Sequence, residues 1–112
     1  MTSPVDLSNL REMTSADAAL EQALFSEFCK SGAECIETLE MSLDEKSSAL
    51  WKSSAHALKG TAFGLGANEL GALCKEAQEV TDSGEDVKRE VLTKIKQEFE
   101  LTQNFLMTLK PT

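Results

Sequence analysis

Trp51-Lys52-Ser53-Ser54-Ala55-His56-Ala57-Leu58-Lys59-Gly60-Thr61-Ala62-Phe63-Gly64-Leu65 is the stretch that decides the fold. Its apolar positions Trp51, Ala55, Leu58, Ala62 and Leu65 are spaced four, three, four and three apart. A strand buries every second residue, so this spacing belongs to a helix with one face in a core. The predicted helix runs from about Ser48 to Gly64, and Gly66 is suited to the left-handed position that stops it.

The same pattern extends in both directions. Upstream, Met1 to Pro4 is a loose start and Leu7 to Met13 a short helix, followed by the polar break Met13-Thr14-Ser15-Ala16-Asp17 with its capping residues. Leu20, Leu24, Phe28, Cys35, Ile36, Leu39 and Leu43 then recur at helical spacing. Gly32 interrupts that run at a cost of about 1 kcal/mol against Ala. Asp44-Glu45-Lys46-Ser47-Ser48 closes it and supplies an N-cap for the Trp51 helix. Downstream, a helix from Asn68 to about Val80 carries Leu70, Leu73, Cys74 and Ala77, and Thr81 to Asp86 is a turn. The last helix, about Val87 to Leu109, offers Val91, Ile95, Phe99, Leu106 and Leu109 inward, and Pro111 ends it. The expected fold is all-α, an antiparallel up-down four-helix bundle with a short extra N-terminal helix. It forms a single domain over 1–112, with its bundle core at about 17–110.

Composition agrees. A chain of 112 residues with 41% hydrophobic residues has material for one core. No Tyr, few other aromatics and little Gly or Pro suit helices better than a β-sandwich. The net charge of −8 lacks the basic stripe of a nucleic-acid binder and disfavours anionic membrane surfaces. No stretch approaches a membrane span, and Asp6, Glu12, Asp17 and Glu21 interrupt any signal-peptide pattern, so a cytoplasmic protein is expected. Cys29, Cys35 and Cys74 are odd in number and lack disulfide or zinc spacing, which marks them as structural buried thiols. Glu98 and Glu100 read as a solvated face. The initiating Met and the stop soon after the last helix lead us to expect a free-standing chain and a monomer.

His56 is the only histidine. With about 100° per residue and Trp51 at zero, the apolar stripe spans about −40° to about +40° and His56 falls at about 140°. Lys52 lies at about 100°, Lys59 at about 80°, Phe63 at about 120° and Gly60 at about 180°. His56 therefore points away from the core. Periodicity alone leaves it either an ordinary solvated residue or a functional one. Gly60 leaves room on the following turn, and Lys52 and Lys59 make a local basic spot in an acidic chain, which suits an anion. Each feature also has a plain structural account: close helix packing for the glycine and solubility for the lysines.

Ala55-His56-Ala57-Leu58-Lys59-Gly60-Thr61-Ala62, then Leu65-Gly66-Ala67, Leu70 and Leu73-Cys74, resembles the histidine-containing phosphotransfer (HPt) domain of bacterial phosphorelays. Leu10, Thr14, Asp17, Leu24-Phe25 and Phe28 are similar to the family's first helices, so the resemblance covers nearly the whole chain. It implies the same four-helix bundle, with His56 phosphorylated and exposed near the middle of the second bundle helix. Lys59 matches the lysine beside the phosphoryl group and Gly60 the glycine that leaves room for it. Gln78, 22 residues on from His56, falls where some members place a Gln near the active histidine. Phe63 and Gly64 depart from the small and polar residues usual there, which bears on partner choice.

The resemblance implies a carrier rather than an enzyme. Neutral His56 takes a phosphoryl group from a receiver-domain aspartate and passes it to another receiver. The partners are receiver domains of response regulators or a hybrid sensor histidine kinase. No cofactor is expected on this chain, and Mg²⁺ is expected from the receiver. Lys52 and Lys75 extend the role of Lys59. Docking is expected around His56 through Phe63, Ala49, Gly60, Gly64 and Lys52, unless Phe63 folds over the helix edge toward Leu70. Two other readings stand beside this one. One is a phosphorylation-incompetent helical adaptor that binds a receiver or kinase, although such a homologue usually loses the histidine or Lys59-Gly60. The other is a hydrolase pairing His56 with a cysteine, for which no carboxylate is placed to orient the imidazole.

Overall fold

Asp17 Oδ1 accepts a hydrogen bond from Leu20 N at 3.0 Å, and Ser47 Oγ accepts one from Leu50 N at 3.1 Å. Two polar breaks of the sequence thus each cap a helix in the computed structural model. The structure describes residues 4–15 and 17–108, the side chains of Asn9, Leu10 and Met13 excepted. The start at Met1, the break residue Ala16, the side chain of Leu10, and the ending at Leu109 and Pro111 lie outside the described residues.

Among the described residues the helices are α1 (Leu7–Thr14), α2 (Ala18–Asp44), α3 (Ser48–Leu65), α4 (Asn68–Glu79) and α5 (Glu85–Thr108), and there are no strands. Each of α2 to α5 packs on the next, and α5 returns to touch α2, which closes a four-helix bundle; α1 lies on α2. Short turns make successive helices antiparallel. α5 begins at Glu85 rather than Val87, so Glu85 and Asp86 face the positive end of the helix dipole.

The α3 stripe is buried at all five positions. Gly66 ends the helix at φ 91°, with Ala67 N donating to Ala62 O at 2.8 Å. A β-carbon on Gly66 would also lie 3.0 Å from the Asp6 carbonyl oxygen, because the N-terminal segment crosses this turn. There Asp6 N donates to Gly66 O at 2.9 Å, and Val5 is buried beside it.

α2 differs from the sequence expectation. It runs unbroken through Gly32, because Gly32 lies under Phe99, whose ring also meets Phe28 at 5.5 Å between centroids. A β-carbon at Gly32 would sit 2.7 Å from Phe99 Cζ. Its buried face is Glu21, Phe25, Phe28, Gly32, Leu39, Ser42 and Leu43. Leu20, expected inward, is 45% exposed, and Leu24, Cys35 and Ile36 are half-buried. The helix is turned so that Phe25 and Glu21 enter the core, and Glu21 meets Arg11 of α1 at 3.4 Å. Of the cysteines only Cys74 is fully buried; Cys29 and Cys35 are half-buried. Glu98, expected as solvated surface, is half-buried, and its carboxyl is pushed up by burial first and by Glu69 second. No helix among the described residues is long and apolar enough to cross a membrane.

Candidate functional site

α3 places His56 on the outer face of the bundle, five residues after Trp51 and directed away from the core. Trp51 is fully buried, and its Nε1 donates to Ala77 O at 2.8 Å. That carbonyl lies in the last turn of α4, where no intrahelical donor remains for it. The bond pins the end of α4 to α3 and fixes the next residue, Gln78, beside His56. Gln78 Nε2 lies 3.3 Å from His56 Nδ1. Its amide can serve either imidazole tautomer. The NH₂ donates to a bare Nδ1; turned over, the carbonyl accepts from Nδ1–H and leaves Nε2 with a free lone pair.

Lys59 is half-buried one turn on from His56, on the side toward α4, where its charge acts on the Cys74 thiol. Lys52 is exposed one turn before His56, and Lys75 is exposed on α4 one turn before Gln78. None of these three lysines has an ion-pair partner among the described residues. Lysines without ion-pair partners around one imidazole favour an approaching anion.

Gly60 and Gly64 are exposed, and a β-carbon on either would meet no heavy atom within 4 Å. No packing among the described residues requires them. With Ala49, Ser53 and Ala57, also exposed, they form a low face along α3 on which His56 stands out. Phe63 is 45% exposed, two turns from His56, and its ring rests on Gly71 of α4. It therefore both folds over the helix edge, onto Gly71 rather than Leu70, and bounds the low face. Sequence reasoning missed the other bank of this face. Leu24, Glu27, Phe28 and Ser31 of α2 form a trough of about 270 Å³ with Gly60, Thr61, Gly64 and Leu65. No signal along the sequence places α2 opposite Gly60 and Gly64, because that depends on how the two helices pack.

A family model described as the Hpt domain matches the chain over residues 23–105, a span that takes in α3 and α4 whole. That span is 83 of 112 residues. The chain belongs to the Hpt domain family. Comparisons with curated proteins and with solved structures gave no match. Membership carries a general phosphotransfer role in phosphorelays. The Hpt match starts within α2 and stops within α5, so α1 and its contacts with α2 lie outside it.

Cys74, the cysteine on the helix next to His56, is unsuited to be the nucleophile of a hydrolase in this Hpt domain. Burial, reinforced by Cys35 and opposed by Lys59, pushes the Cys74 thiol up to about 12. A thiol that is fully buried and protonated at neutral pH does not attack. Cys35 is raised as well, by burial and then by Glu34. Among the described residues no three His, Cys, Asp or Glu side chains gather where they could hold a metal ion.

Proposed function

We propose that this Hpt domain carries a phosphoryl group on His56 between receiver-domain aspartates, without kinase or phosphatase activity of its own. The observation that supports the reading is an exposed His56 whose Nδ1 is engaged by Gln78, on a helix whose Gly60 and Gly64 leave open space one and two turns on. With Nδ1–H held by the Gln78 carbonyl, the Nε2 lone pair attacks phosphorus. The P–N bond forms, the P–O bond to the aspartate breaks, and a carboxylate leaves. Donation to the next receiver reverses each change. Phosphoryl transfer depends on position and charge, so Lys59 balances the equatorial oxygens and Lys52 extends the same field. Mg²⁺ comes with the receiver.

Gly60 and Gly64 let the partner approach the imidazole closely, and Phe63 and Ala49 bound the contact along α3. The partners are receiver domains of response regulators or of a hybrid sensor kinase, in the cytoplasm. The test is transfer from a phosphorylated receiver to the wild-type chain and to His56→Gln. Acid-labile, alkali-stable label on the wild type alone supports the carrier. Label on both moves the chemistry off His56. Binding of a receiver without label on either protein leaves the adaptor reading.

A further inference from the structure

Among the described residues, two hydrogen bonds join α3 to α4: Trp51 Nε1 to Ala77 O at 2.8 Å, and the Gln78–His56 contact at 3.3 Å. They fall on consecutive residues of α4. Trp51 and Ala77 are fully buried, whereas Gln78 is half-buried and His56 exposed. The inner bond is therefore the firmer restraint, since losing its donor leaves a buried carbonyl unsatisfied.

Gln78 is held on both sides. The carbonyl before it is taken by Trp51, and its own accepts from Thr81 N at 3.3 Å and from Thr81 Oγ1 at 2.6 Å. The Thr81 bonds stay within the end of α4, so they set the turn itself and not its place against α3. The indole ties that turn to α3, and Lys88 of α5 lies over its ring, 5.6 Å from the centroid.

We propose that Trp51 is a positioning residue for the transfer: through the Ala77 carbonyl it holds the Gln78 amide on His56 Nδ1 and so keeps the Nε2 lone pair bare. Its effect on rate rests on the carrier reading of His56. Which imidazole nitrogen keeps the proton is set by the hydrogen bond that the other makes. With Nδ1–H on the Gln78 carbonyl, the P–N bond forms at Nε2, the aspartate carboxylate leaves, and the Nδ1 proton stays in place. A Gln78 released from α3 no longer selects that tautomer, and part of the imidazole then carries its proton on the attacking nitrogen.

His56 is the single histidine and Trp51 the single tryptophan, so both ends can be watched without overlap. Ring-nitrogen NMR shifts of the full chain, with the imidazole neutral, give the tautomer ratio without phosphate or partner. Trp51→Phe keeps an aromatic ring and removes the donor, and the ratio should move toward Nε2–H, as it does in Gln78→Ala. Transfer from a phosphorylated receiver should slow by about fivefold, the worth of one hydrogen bond. The double variant should be no slower than Gln78→Ala alone. Gly32→Ala, which disturbs the core under Phe99, controls for lost stability and should leave the ratio unchanged. Where Trp51→Phe fails to fold, benzothienylalanine in place of Trp51 keeps the shape of the indole and lacks only the N–H. A ratio unmoved by loss of the N–H, equal movement in Gly32→Ala, or additive rate losses in the double variant overturns the proposal. A wild type that accepts no phosphoryl group counts against the carrier reading, while the ring shifts still decide whether Trp51 positions His56.

Discussion

A β-carbon added at Gly60 would meet nothing within 4 Å, whereas one added at Gly32 would lie 2.7 Å from Phe99 Cζ in the core. The two glycines sit in helix interiors and carry the same propensity cost, yet they answer to different demands. Gly32→Ala forces the buried Phe99 ring to move and should cost about 1–3 kcal/mol. Gly60→Ala relieves a helix of its most flexible residue without a clash and should stabilise by about 0.5–1 kcal/mol. If Gly60 is kept for close approach to His56, the stabilised variant will transfer phosphate more slowly. Urea midpoints and transfer rates measured on the same two proteins check both halves. A Gly60→Ala protein that is more stable and equally fast would remove the glycine from the site. The outward placement of His56 was legible in the sequence, since Trp51 and Leu58 fix the face from which it points away. The contact with Gln78 was legible only by family resemblance, because the reach from α4 depends on how two helices pack.

The inward face of α2 was misread at the level of the element. Phe28, Leu39 and Leu43 are buried as expected, but Leu20 fits a helical period as well as Phe25 does, and periodicity cannot choose between overlapping stripes. The choice is made by neighbours: Phe99 needs Gly32, and Arg11 of α1 reaches Glu21, whose side chain is only 5% exposed. The pair stands at 3.4 Å without a hydrogen bond between Arg11 Nε and Glu21 Oε1, so its attraction is chiefly that of the charges. Removing the cation strands a carboxylate inside the protein. Arg11→Met should therefore destabilise by about 1–3 kcal/mol, below the range for a fully buried pair because Arg11 stays 40% exposed. Arg11→Met combined with Glu21→Leu should recover most of that loss, since an apolar pair needs no counter-ion. Chemical denaturation of the single and double variants decides it; a double variant no better than the single would show that α1 is held by something other than charge.

Alkaline pH tests the bundle as a whole, because Cys74 is a fully buried member of one cluster to which α2 to α5 all contribute. Its thiol is raised from 9.0 to about 12, by burial above all. The unfolded chain loses that proton near the ordinary value and the folded chain does not. Above pH 9 the unfolded state therefore binds fewer protons, and stability falls as pH rises toward 12. The slope from this one group is up to about 1.4 kcal/mol per pH unit, and the contribution is complete below pH 9. Cys74→Ala should lower stability at pH 7 by leaving a small void, yet flatten the alkaline limb by about one proton. Thermal melts at intervals of pH follow both changes, and an unaltered alkaline slope in the variant would assign the effect to other groups.

Local chemistry was enough for several features. A stripe at four-three spacing, Asp17 and Ser47 in the breaks and Gly66 past the last apolar residue specify where helices begin and end, and they set His56 outward. Each of these depends on residues within a turn or two of one another. Other features came only with the packed bundle: which side of α2 is buried, why Gly32 is tolerated, that Phe63 lies on Gly71, and that Trp51 holds Ala77 so that Gln78 meets His56. The packing of Lys88 over Trp51 is of the same kind, with 36 residues of chain between the two. Such contacts join residues far apart in sequence, and their geometry is decided by close packing between helices, which no periodicity along one segment records.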